Sequence, residues 1–336
     1  MITKRRFLSR VKSESFLIGI LCLIGLIPYP KLVKKRGRPF YYSPTVMLRC
    51  FIVRVWLRIP GNNALHNYFS IDIPYNRKVM KACGLDRLPD RRTFDRRFRI
   101  ISFDMKHMID AMGMLFVNEV LVDPFIVSID SSLLKARGHV WHRSSMEKNE
   151  IPRSGIDTDG HWGLSRTKGW VFGYKLHIIC STGSLIVPLS ADVTTANIPD
   201  NSMYESITAS LPYGTRYIVG DSGYDDQELC DFSRHRGSLL VFPLKRYRCT
   251  TDPDRLALLQ FYHSEYGQHV YSQRSISVEP LIEHLKDVFG IDPLPVRGFD
   301  NVRSIVLLSV LLYQVMVYYN HLTGRPLRAL KHMLGS

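Results

Sequence analysis

The sequence predicts an α/β fold, in which a mixed β-sheet flanked by helices follows a basic, mostly helical N-terminal domain. Residues 1–120 show apolar periodicities of the helical kind, with arginines on the opposite side. From residue 125 onward, short β-branched runs alternate with helical segments, as in a sheet with helices on its faces. A turn at Val122-Asp123-Pro124 separates the two parts. We therefore expect a helical domain over 1–120, a sheet-containing domain over 121–322 and a tail over 323–336.

Three apolar segments are the predicted N-terminal helices. They are FLIGILCLIGLI (16–27), SPTVMLRCFIVRVWLRI (43–59) and DRRTFDRRFRIISFDMKHMIDAMGMLF (90–116). Asp90 is placed to cap the last of them. The first follows basic residues and imitates a signal peptide, but no small-residue cleavage site follows it and it is too short to span a bilayer. It is predicted to be a buried helix, as is the apolar run Ile305–Tyr319.

The positive charge is concentrated in the N-terminal third. Residues 1–120 hold 23 Lys and Arg against 8 Asp and Glu, whereas residues 121–336 hold 22 of each, so the whole excess of +15 lies in the first part. A one-sided excess is typical of a surface that faces phosphates, although basic surface also aids solubility. The clusters are KRR, KLVKKRGR and DRRTFDRRFR, and the candidate contacts in the last one are Arg91, Arg92, Arg96 and Arg97.

The second part of the chain contains five predicted strands. They are FIVSID (125–130), GWVFGYKLHIIC (169–180), SLIVPLSADV (184–193), RYIVG (216–220) and SLLVFPLKR (238–246). The second and third are joined by Ser181-Thr182-Gly183 and predict a hairpin. Residues 138–170 are polar and predict a long loop. Helices are predicted near 200–211, over YDDQELCDFSRHRG (224–237) and in the second half of 271–290.

Two of these strands end in an aspartate, Asp130 and Asp221. If the strands are neighbours, both carboxylates emerge at one edge of the sheet, where oxygen ligands on rigid strands suit Mg²⁺. The alternative for Asp221 is a helix cap, which we consider less favoured. Gly223 would let the chain leave without crowding the site. Asp225 and Asp226 are predicted in the first turn of the next helix, where acids suit the helix dipole.

A site for two metal ions needs a third carboxylate, and Glu279 is the candidate. Glu279 and Lys286 are seven residues apart on one helical face, with Glu283 between them. Pro280 suits a first helical turn and would place Glu279 at the start of the helix. The alternative is a solvated face with an intrahelical ion pair, which the spacing alone favours.

Cysteine and histidine spacings argue against a zinc ribbon and a dense disulfide scaffold. The six cysteines are scattered without a C-x-x-C pair and are expected to be free thiols in a reducing cytoplasm. The histidines at positions 139, 142, 161 and 177 supply no tetrahedral set at an ordinary spacing. Lys175 and His177 are expected to share one face of a strand, and whether DNA meets that face is left open.

Four stretches, taken in order, resemble insertion-sequence transposases of the DDE type, whose catalytic core is an RNase H-like fold. They are SIDSS (128–132), GWVFGYKLH (169–177), VGDSGYD (219–225) and the pattern Tyr271-x2-Arg274-x4-Glu279-x6-Lys286. LPDRRTFDRRF (88–98) also resembles the arginine-bearing helix ahead of that core. The resemblance extends from about residue 40 to residue 322. The family usually has three residues between the arginine and the glutamate, where this chain has four.

The resemblance implies a metal site and a set of DNA contacts. The implied metal-binding triad is Asp130, Asp221 and Glu279, and the implied helpers that touch DNA are Tyr271, Arg274 and Lys286. Two Mg²⁺ ions, with Mn²⁺ as a substitute, would support strand cleavage at transposon ends and transfer of the 3′-OH into target DNA.

The resemblance also implies the binding partners of the protein and leaves two alternative functions open. The partners are double-stranded DNA, namely terminal inverted repeats and target DNA, and a second copy of the chain on DNA. A membrane is not expected, and the location is cytoplasmic. One rival is an RNase H-like metal nuclease that only hydrolyses. The other is a non-catalytic DNA-binding relic, against which the three intact acidic residues argue.

The charge distribution predicts strongly salt-dependent DNA binding through residues 1–120. Phosphate contacts release counterions, so the association constant for DNA should fall steeply as salt rises from about 50 mM to about 200 mM. Fluorescence anisotropy on a labelled duplex measures this slope. A flat salt response, or binding confined to the C-terminal part, would contradict the prediction.

Overall fold

The computed structural model describes residues 15–27, 40–152, 154–165, 168–244 and 252–335. The basic clusters KRR and KLVKKRGR lie outside the described residues, as does Cys249. The cysteines within the described ranges are free thiols, in agreement with the sequence. The third basic cluster is described and begins a long helix.

The predicted N-terminal helices are all formed. The described helices ahead of the sheet are α1 (Phe16–Ile24), α2 (Pro44–Trp56), α3 (Asn62–Ser70), α4 (Pro74–Cys83) and α5 (Arg91–Asn118). The side chains of Ser15 and Ser43 cap α1 and α2. Asp90 Oδ1 accepts the Arg92 N–H at 2.8 Å, which confirms the predicted cap of α5. Residues 91–116 therefore lie within a single helix of 28 residues.

A mixed sheet forms the second part of the chain. Its described strands are β1 (Ile126–Lys135), β2 (His161–Ser165), β3 (Gly169–Ser181), β4 (Pro188–Thr195), β5 (Tyr217–Val219) and β6 (Leu239–Val241). The order is β2-β3-β1-β5-β6, and β4 pairs with β3. β1 runs antiparallel to β3 and parallel to β5, and β5 runs parallel to β6. The predicted α/β class, with a mixed sheet and flanking helices, is confirmed, and so is the β3–β4 hairpin.

Helices of very different length follow and connect these strands. They are α6 (Arg143–Glu147), α7 (Tyr204–Thr208), α8 (Gln227–His235), α9 (Pro253–His263), α10 (Glu265–Phe289), α11 (Phe299–Thr323) and α12 (Leu330–Leu334). Short 3₁₀ turns occupy Asn201–Met203 and Ser222–Tyr224. Gly237 follows α8 with a φ of 76°, a left-handed conformation that glycine adopts without strain.

The register between β1 and β5 determines where the two strand-tip aspartates lie. Ser128 of β1 pairs in parallel with Val219, the last residue of β5. Asp130 and Asp221 each lie two residues further along the chain. Because the two strands run in the same direction, both aspartates follow the paired segment at the same edge of the sheet.

Pro280 lies inside α10 and not in its first turn. The helix begins at Glu265 and continues through the proline to Phe289, so Glu279 is in mid-helix and the expected helix start is wrong. Proline lacks the N–H that would bond to the carbonyl of Ile276. Ile276 is 57% exposed, so water can reach this part of the helix.

Strand β2 lies within the predicted loop over 138–170. It pairs with Gly169–Gly173, the part of β3 that extends beyond its pairing with β4. A Cβ on Gly163 of β2 would lie 2.5 Å from the Ala196 carbonyl oxygen, so glycine permits close packing there. The short polar sequence gives little strand signal, and the strand forms because a partner edge is available.

The chain forms two compact units. One contains residues up to Met108 together with those from Leu285, and the other is Ile109–His284, which holds the whole sheet. In the first unit, α11 packs on α1 and α2, and Ser304 Oγ donates to the Phe98 carbonyl at 2.6 Å. These units reflect packing alone, so the predicted domain boundaries at 120 and 322 stay predictions.

Helix α11 is long and apolar enough to cross a membrane by length and composition, the only described helix that is. Its most apolar 18-residue window is 94% buried inside the structure. Helix α1 is also largely buried. Both apolar runs therefore form core helices, as the sequence predicted.

Candidate active site

Asp130 lies at a point where β1 has a partner on one side only. It pairs with Ile178 of β3, whereas on the other side β5 has already ended. The Ser131 N–H donates to Asp130 Oδ1 at 2.8 Å and fixes the carboxylate. The side chain is 16% exposed, so it is partly sealed from water.

Asp221 caps the 3₁₀ turn Ser222–Tyr224. Its Oδ1 accepts the Gly223 N–H at 2.7 Å, so the cap that the sequence offered as an alternative is present. The bond uses one carboxylate oxygen. A Cβ on Gly223 would lie 2.7 Å from that same oxygen, so any larger residue would displace the carboxylate.

The two following acids have structural roles that differ from those predicted. Asp226 is the N-cap of α8 rather than part of its first turn, and it accepts the Glu228 N–H at 3.0 Å. Asn201 Nδ2 donates to its other oxygen at 3.1 Å. Asp225 lies outside the helix, is 1% exposed and forms an ion pair with Arg255 of α9. A carboxylate this deeply buried needs such a partner, and no local sequence pattern indicated the pairing.

Helix α10 is held against β1 by a buried hydrogen bond between two serines. Ser277 Oγ donates to Ser128 Oγ at 2.8 Å, and both residues are fully buried. Ser128 precedes Asp130 by two residues, and Ser277 precedes Glu279 by two. The helix also packs on the sheet through a buried cluster of Val219, Val241 and Val270. The helix carboxylate is thereby brought to the strand that carries Asp130.

Arg274 joins the helix carboxylate to the strand carboxylate. Its Nη2 donates to Asp130 Oδ2 at 2.7 Å, and its Nη1 donates to Glu279 Oε1 at 2.6 Å. Arg274 is 17% exposed, whereas Glu279 is 49% exposed. Both contacts are charge-assisted hydrogen bonds, which are stronger than neutral ones. We call the carboxylates of Asp130, Asp221 and Glu279 at this end of the sheet the acidic edge. The four-residue gap between Arg274 and Glu279 therefore does not keep the guanidinium from it.

The acidic edge lacks enough positive charge of its own. Burial raises the pKa of the Asp130 carboxyl to about 7. The Arg274 guanidinium and the Ser131 N–H act against this rise, while the charges of Asp221 and Glu279 add to it. Burial lowers the pKa of Arg274, but the three carboxylates more than offset it and raise that pKa above its usual value. Additional cationic charge would favour the ionised form of Asp130.

The remaining predicted helpers on α10 lie in different surroundings. Tyr271 packs edge-to-face on Tyr262 with ring centroids 5.1 Å apart. Burial raises its pKa, and the charges of Asp221 and Glu279 add to that rise, so it lies near the acidic edge. Lys286 is 7% exposed and belongs by packing to the unit that contains the N-terminal helices.

The arginines at the start of α5 divide into exposed and buried groups. Arg91, Arg92 and Arg96 are exposed. Arg97 is 8% exposed, its guanidinium lies 3.9 Å from the ring centre of Phe40, and it donates to the Tyr42 carbonyl at 3.3 Å. Arg97 is therefore used within the fold, which argues against a direct contact with DNA. Arg99, which the sequence analysis did not select, is exposed and lines an open depression with Arg92 and Arg96.

Asp200 is a further acidic residue beside the site, and the sequence analysis missed it. Its Oδ1 accepts hydrogen bonds from Ser131 Oγ at 2.7 Å and from Lys175 Nζ at 2.8 Å. Burial raises the pKa of Tyr224 well above its usual value, and Asp200, Asp130 and Asp221 raise it further. The three carboxylates are therefore close enough to disfavour ionisation of the tyrosine hydroxyl.

Lys175 and His177 of β3 are both engaged inside the protein. The Lys175 side chain is 13% exposed, and its Nζ also donates to the Ile198 carbonyl at 2.8 Å. His177 is fully buried, and its Nε2 lies 2.8 Å from Thr194 Oγ1. Burial lowers the pKa of His177 to about 4, so it is neutral at pH 7. Neither residue presents a charged group to DNA in this structure.

The acidic side chains are of the right kind for a divalent cation. Carboxylate oxygens are the ligands that Mg²⁺ and Mn²⁺ prefer, and a cationic group, the Arg274 guanidinium, already stands between Asp130 and Glu279. Within the described ranges, no group of three Asp, Glu, His or Cys side chains could hold an ion as it stands. The guanidinium engages one oxygen of each of two candidate ligands, so it competes with a cation for both carboxylates.

The mixed sheet with acidic side chains at one edge lies within a part of the chain that matches a known family. The chain belongs to the Transposase DDE domain family, whose model matches residues 123–315, and it is therefore a DDE transposase. No curated protein matches it. A solved structure, the cryo-EM structure of the piggyBac transposase synaptic complex with hairpin DNA, is similar over 94% of this chain and 74% of that chain. The sequence identity is 10% and the TM-score is 0.42.

Proposed function

We propose that this transposase cuts DNA at transposon ends and transfers the resulting 3′-OH into target DNA, using Asp130, Asp221 and Glu279. The observation that supports this assignment is the Arg274 bridge, which unites Asp130 and Glu279 next to Asp221. Family membership supplies the class of reaction.

The proposed chemistry is positioning plus charge neutralisation. Two Mg²⁺ ions, for which Mn²⁺ can substitute, would activate the attacking oxygen and stabilise the leaving oxygen of an in-line displacement at phosphorus. Asp130 and Asp221 hold their ligand oxygens on rigid strand tips, and Glu279 brings a third from α10. Water attacks in the cleavage step, and the freed 3′-OH attacks in the transfer step. No covalent bond to the protein forms in either step.

Arg274 has two successive roles in this proposal. In the free protein it neutralises Asp130 and Glu279, which otherwise repel one another. When both carboxylates are used as ligands, the guanidinium is released close to the scissile phosphate. Its planar fork matches a phosphate in two hydrogen bonds. Tyr271, one helical turn before it, would contact the same DNA. Lys286, the third predicted contact, is 7% exposed and would have to be uncovered to reach DNA.

The N-terminal helices would hold the transposon ends. The exposed arginines of α5, namely Arg91, Arg92 and Arg96, would contact phosphates of the terminal inverted repeats. A pair of ends calls for a pair of active sites, so two copies of the chain would assemble on DNA in the cytoplasm. The rival function is a nuclease that only hydrolyses, and a strand-transfer assay with a pre-cut end separates the two.

Asp130→Asn and Asp221→Asn should each abolish cleavage and leave DNA affinity near normal. Asparagine retains an oxygen that accepts the Ser131 or Gly223 N–H, so the fold is kept while the charge is lost. Cleavage of a labelled transposon end with Mg²⁺ measures the effect. Asp231→Asn on α8 is the matched control and should cleave normally. Activity in either aspartate variant would exclude the assignment.

Glu279→Gln should remove both cleavage and strand transfer, whereas Glu283→Gln should retain a substantial part of each. The two residues lie one helical turn apart on α10, and Glu279 is the one that contacts the Arg274 guanidinium. Both variants are assayed on a labelled end with Mg²⁺ and again with Mn²⁺. An inactive Glu283→Gln beside an active Glu279→Gln would show that the chosen glutamate is wrong.

Arg274→Gln should bind Mn²⁺ about tenfold more tightly than the unaltered protein when DNA is absent, because the competing charge-assisted hydrogen bonds are gone. The same change should weaken binding to a transposon end. Electron paramagnetic resonance measures free Mn²⁺. The control is Arg234→Gln, since Arg234 pairs with Asp231 and Asp254 instead. Unchanged or weaker Mn²⁺ binding by Arg274→Gln would contradict the two-role proposal.

A further inference from the structure

A single serine connects Asp130 to the acid that the sequence analysis missed. The backbone N–H of Ser131 donates to Asp130 Oδ1 at 2.8 Å, and its hydroxyl donates to Asp200 Oδ1 at 2.7 Å. Asp200 is 69 residues further along the chain. It belongs to the turn between β4 and the Asn201–Met203 3₁₀ turn. The contact therefore ties a distant turn to the strand tip.

Asp200 approaches β1 from the face opposite to the Asp130 side chain. Successive side chains of a strand point to opposite faces, so Ser131 points away from the side of Asp130. Lys175, which also donates to Asp200, pairs with Leu133 in the β1–β3 register and shares the Ser131 face. Asp200 is thus placed to hold β1 from the Ser131 face rather than to share a cation with Asp130.

Lys175 neutralises the charge that Asp200 adds. The Lys175 Nζ and the Asp200 Oδ1 are 2.8 Å apart, with the side chains 13% and 27% exposed. The Ile198 carbonyl accepts a second hydrogen bond from the same ammonium, so its position is fixed at two points. Asp200 can therefore accept the Ser131 hydroxyl without adding net negative charge to an edge that already carries three carboxylates.

The second oxygen of Asp200 lies beside the turn that carries Asp221. A Cβ placed on Gly223 would lie 3.6 Å from Asp200 Oδ2 and 2.7 Å from Asp221 Oδ1. The residue after Asp200, Asn201, donates to Asp226, the N-cap of α8, two residues after that turn. One short segment thus contacts both the tip of β1 and the turn after β5.

We propose that Asp200, with Lys175, is a positioning residue for the reaction, because it fixes the strand tip of Asp130 relative to the turn of Asp221. The inference rests on the proposed function, in which these two aspartates are ligands. Side chains that orient metal ligands typically change metal affinity or activity by about 10–100-fold when they are removed.

The test compares four full-length variants: Asp200→Ala, Asp200→Asn, Ser131→Ala and the double variant Asp200→Ala/Ser131→Ala. Asp200→Ala should bind Mn²⁺ about 10–100-fold more weakly without DNA, and its kcat for cleavage should fall by a similar factor. Its KM for the transposon end should stay within about threefold, since the DNA contacts are elsewhere. Asp200→Asn keeps an oxygen acceptor and should remain within about threefold of the unaltered protein in both measurements.

Ser131→Ala should reproduce the loss, and the double variant should be no worse than the more affected single variant by more than about twofold. Additive losses would show that the two residues act separately. Asp200→Ala with unchanged Mn²⁺ affinity would overturn the proposal. Asp200→Asn as weak as Asp200→Ala would also overturn it, because Asp200 would then act as a ligand.

Ser43→Ala is the matched control for general damage to the fold. It removes the cap of α2, in which the Ser43 side chain accepts the Val46 N–H, and should lower the melting temperature, yet Mn²⁺ affinity should not change. If it weakens Mn²⁺ binding as much as Asp200→Ala does, the effect is not specific and the proposal fails. An unaltered protein that binds Mn²⁺ but cuts no DNA would reject the proposed function, while the Mn²⁺ comparison would still decide the role of Asp200.

Discussion

The buried hydrogen bond between Ser277 and Ser128 is the contact on which the acidic edge depends. A strand and a helix far apart in sequence can present carboxylates to one point only if the helix has a fixed rotation. Moving α10 by one residue would turn every side chain by about 100° and carry Arg274 and Glu279 away from Asp130. It would also leave the buried Ser128 hydroxyl without this partner, at about 1–3 kcal/mol, whereas the Ser277 hydroxyl would keep the Gln273 carbonyl of its own helix. The serine pair therefore selects one register of α10 on β1, and the apolar packing around the pair supplies most of the free energy that holds the helix on the sheet.

Strand β1 is balanced by one cationic side chain on each of its faces. Arg274 meets the Asp130 face, and Lys175 meets the Ser131 face through Asp200. The two cationic side chains differ in the groups that bind them. Lys175 is held by a carboxylate and a carbonyl and is nearly sealed from water, so its position is fixed. Arg274 bonds to the half-exposed Glu279, and its own side chain, at 17% exposed, is almost as buried as that of Lys175. Under the proposed function, Lys175 would stay in place behind the strand while Arg274 exchanges carboxylates for phosphate.

Much of this site could be found from sequence, because its strand positions carry a local signal. An apolar β-branched run that ends in an acid marks a strand tip, and this located Asp130 and Asp221. The helix was located less well: Pro280 is usual in a first turn, yet here tertiary packing keeps it inside α10. Asp200 has no periodicity around it, and its role arises from a partner 69 residues away. The pairing of Asp225 with Arg255 is equally non-local. Local patterns show which segment an acid belongs to, but not which distant residue will neutralise it.

The sheet ends in a very short strand on the β5 side. β6 spans only Leu239–Val241. On the other side of the sheet, the edge of β3 that faces away from β1 pairs with β4 and β2. An edge of three residues offers few free N–H and carbonyl groups to another chain, which is how proteins commonly avoid unwanted pairing. If two copies meet on one DNA, as proposed, the described residues of β6 would therefore give them little opportunity to join sheet to sheet.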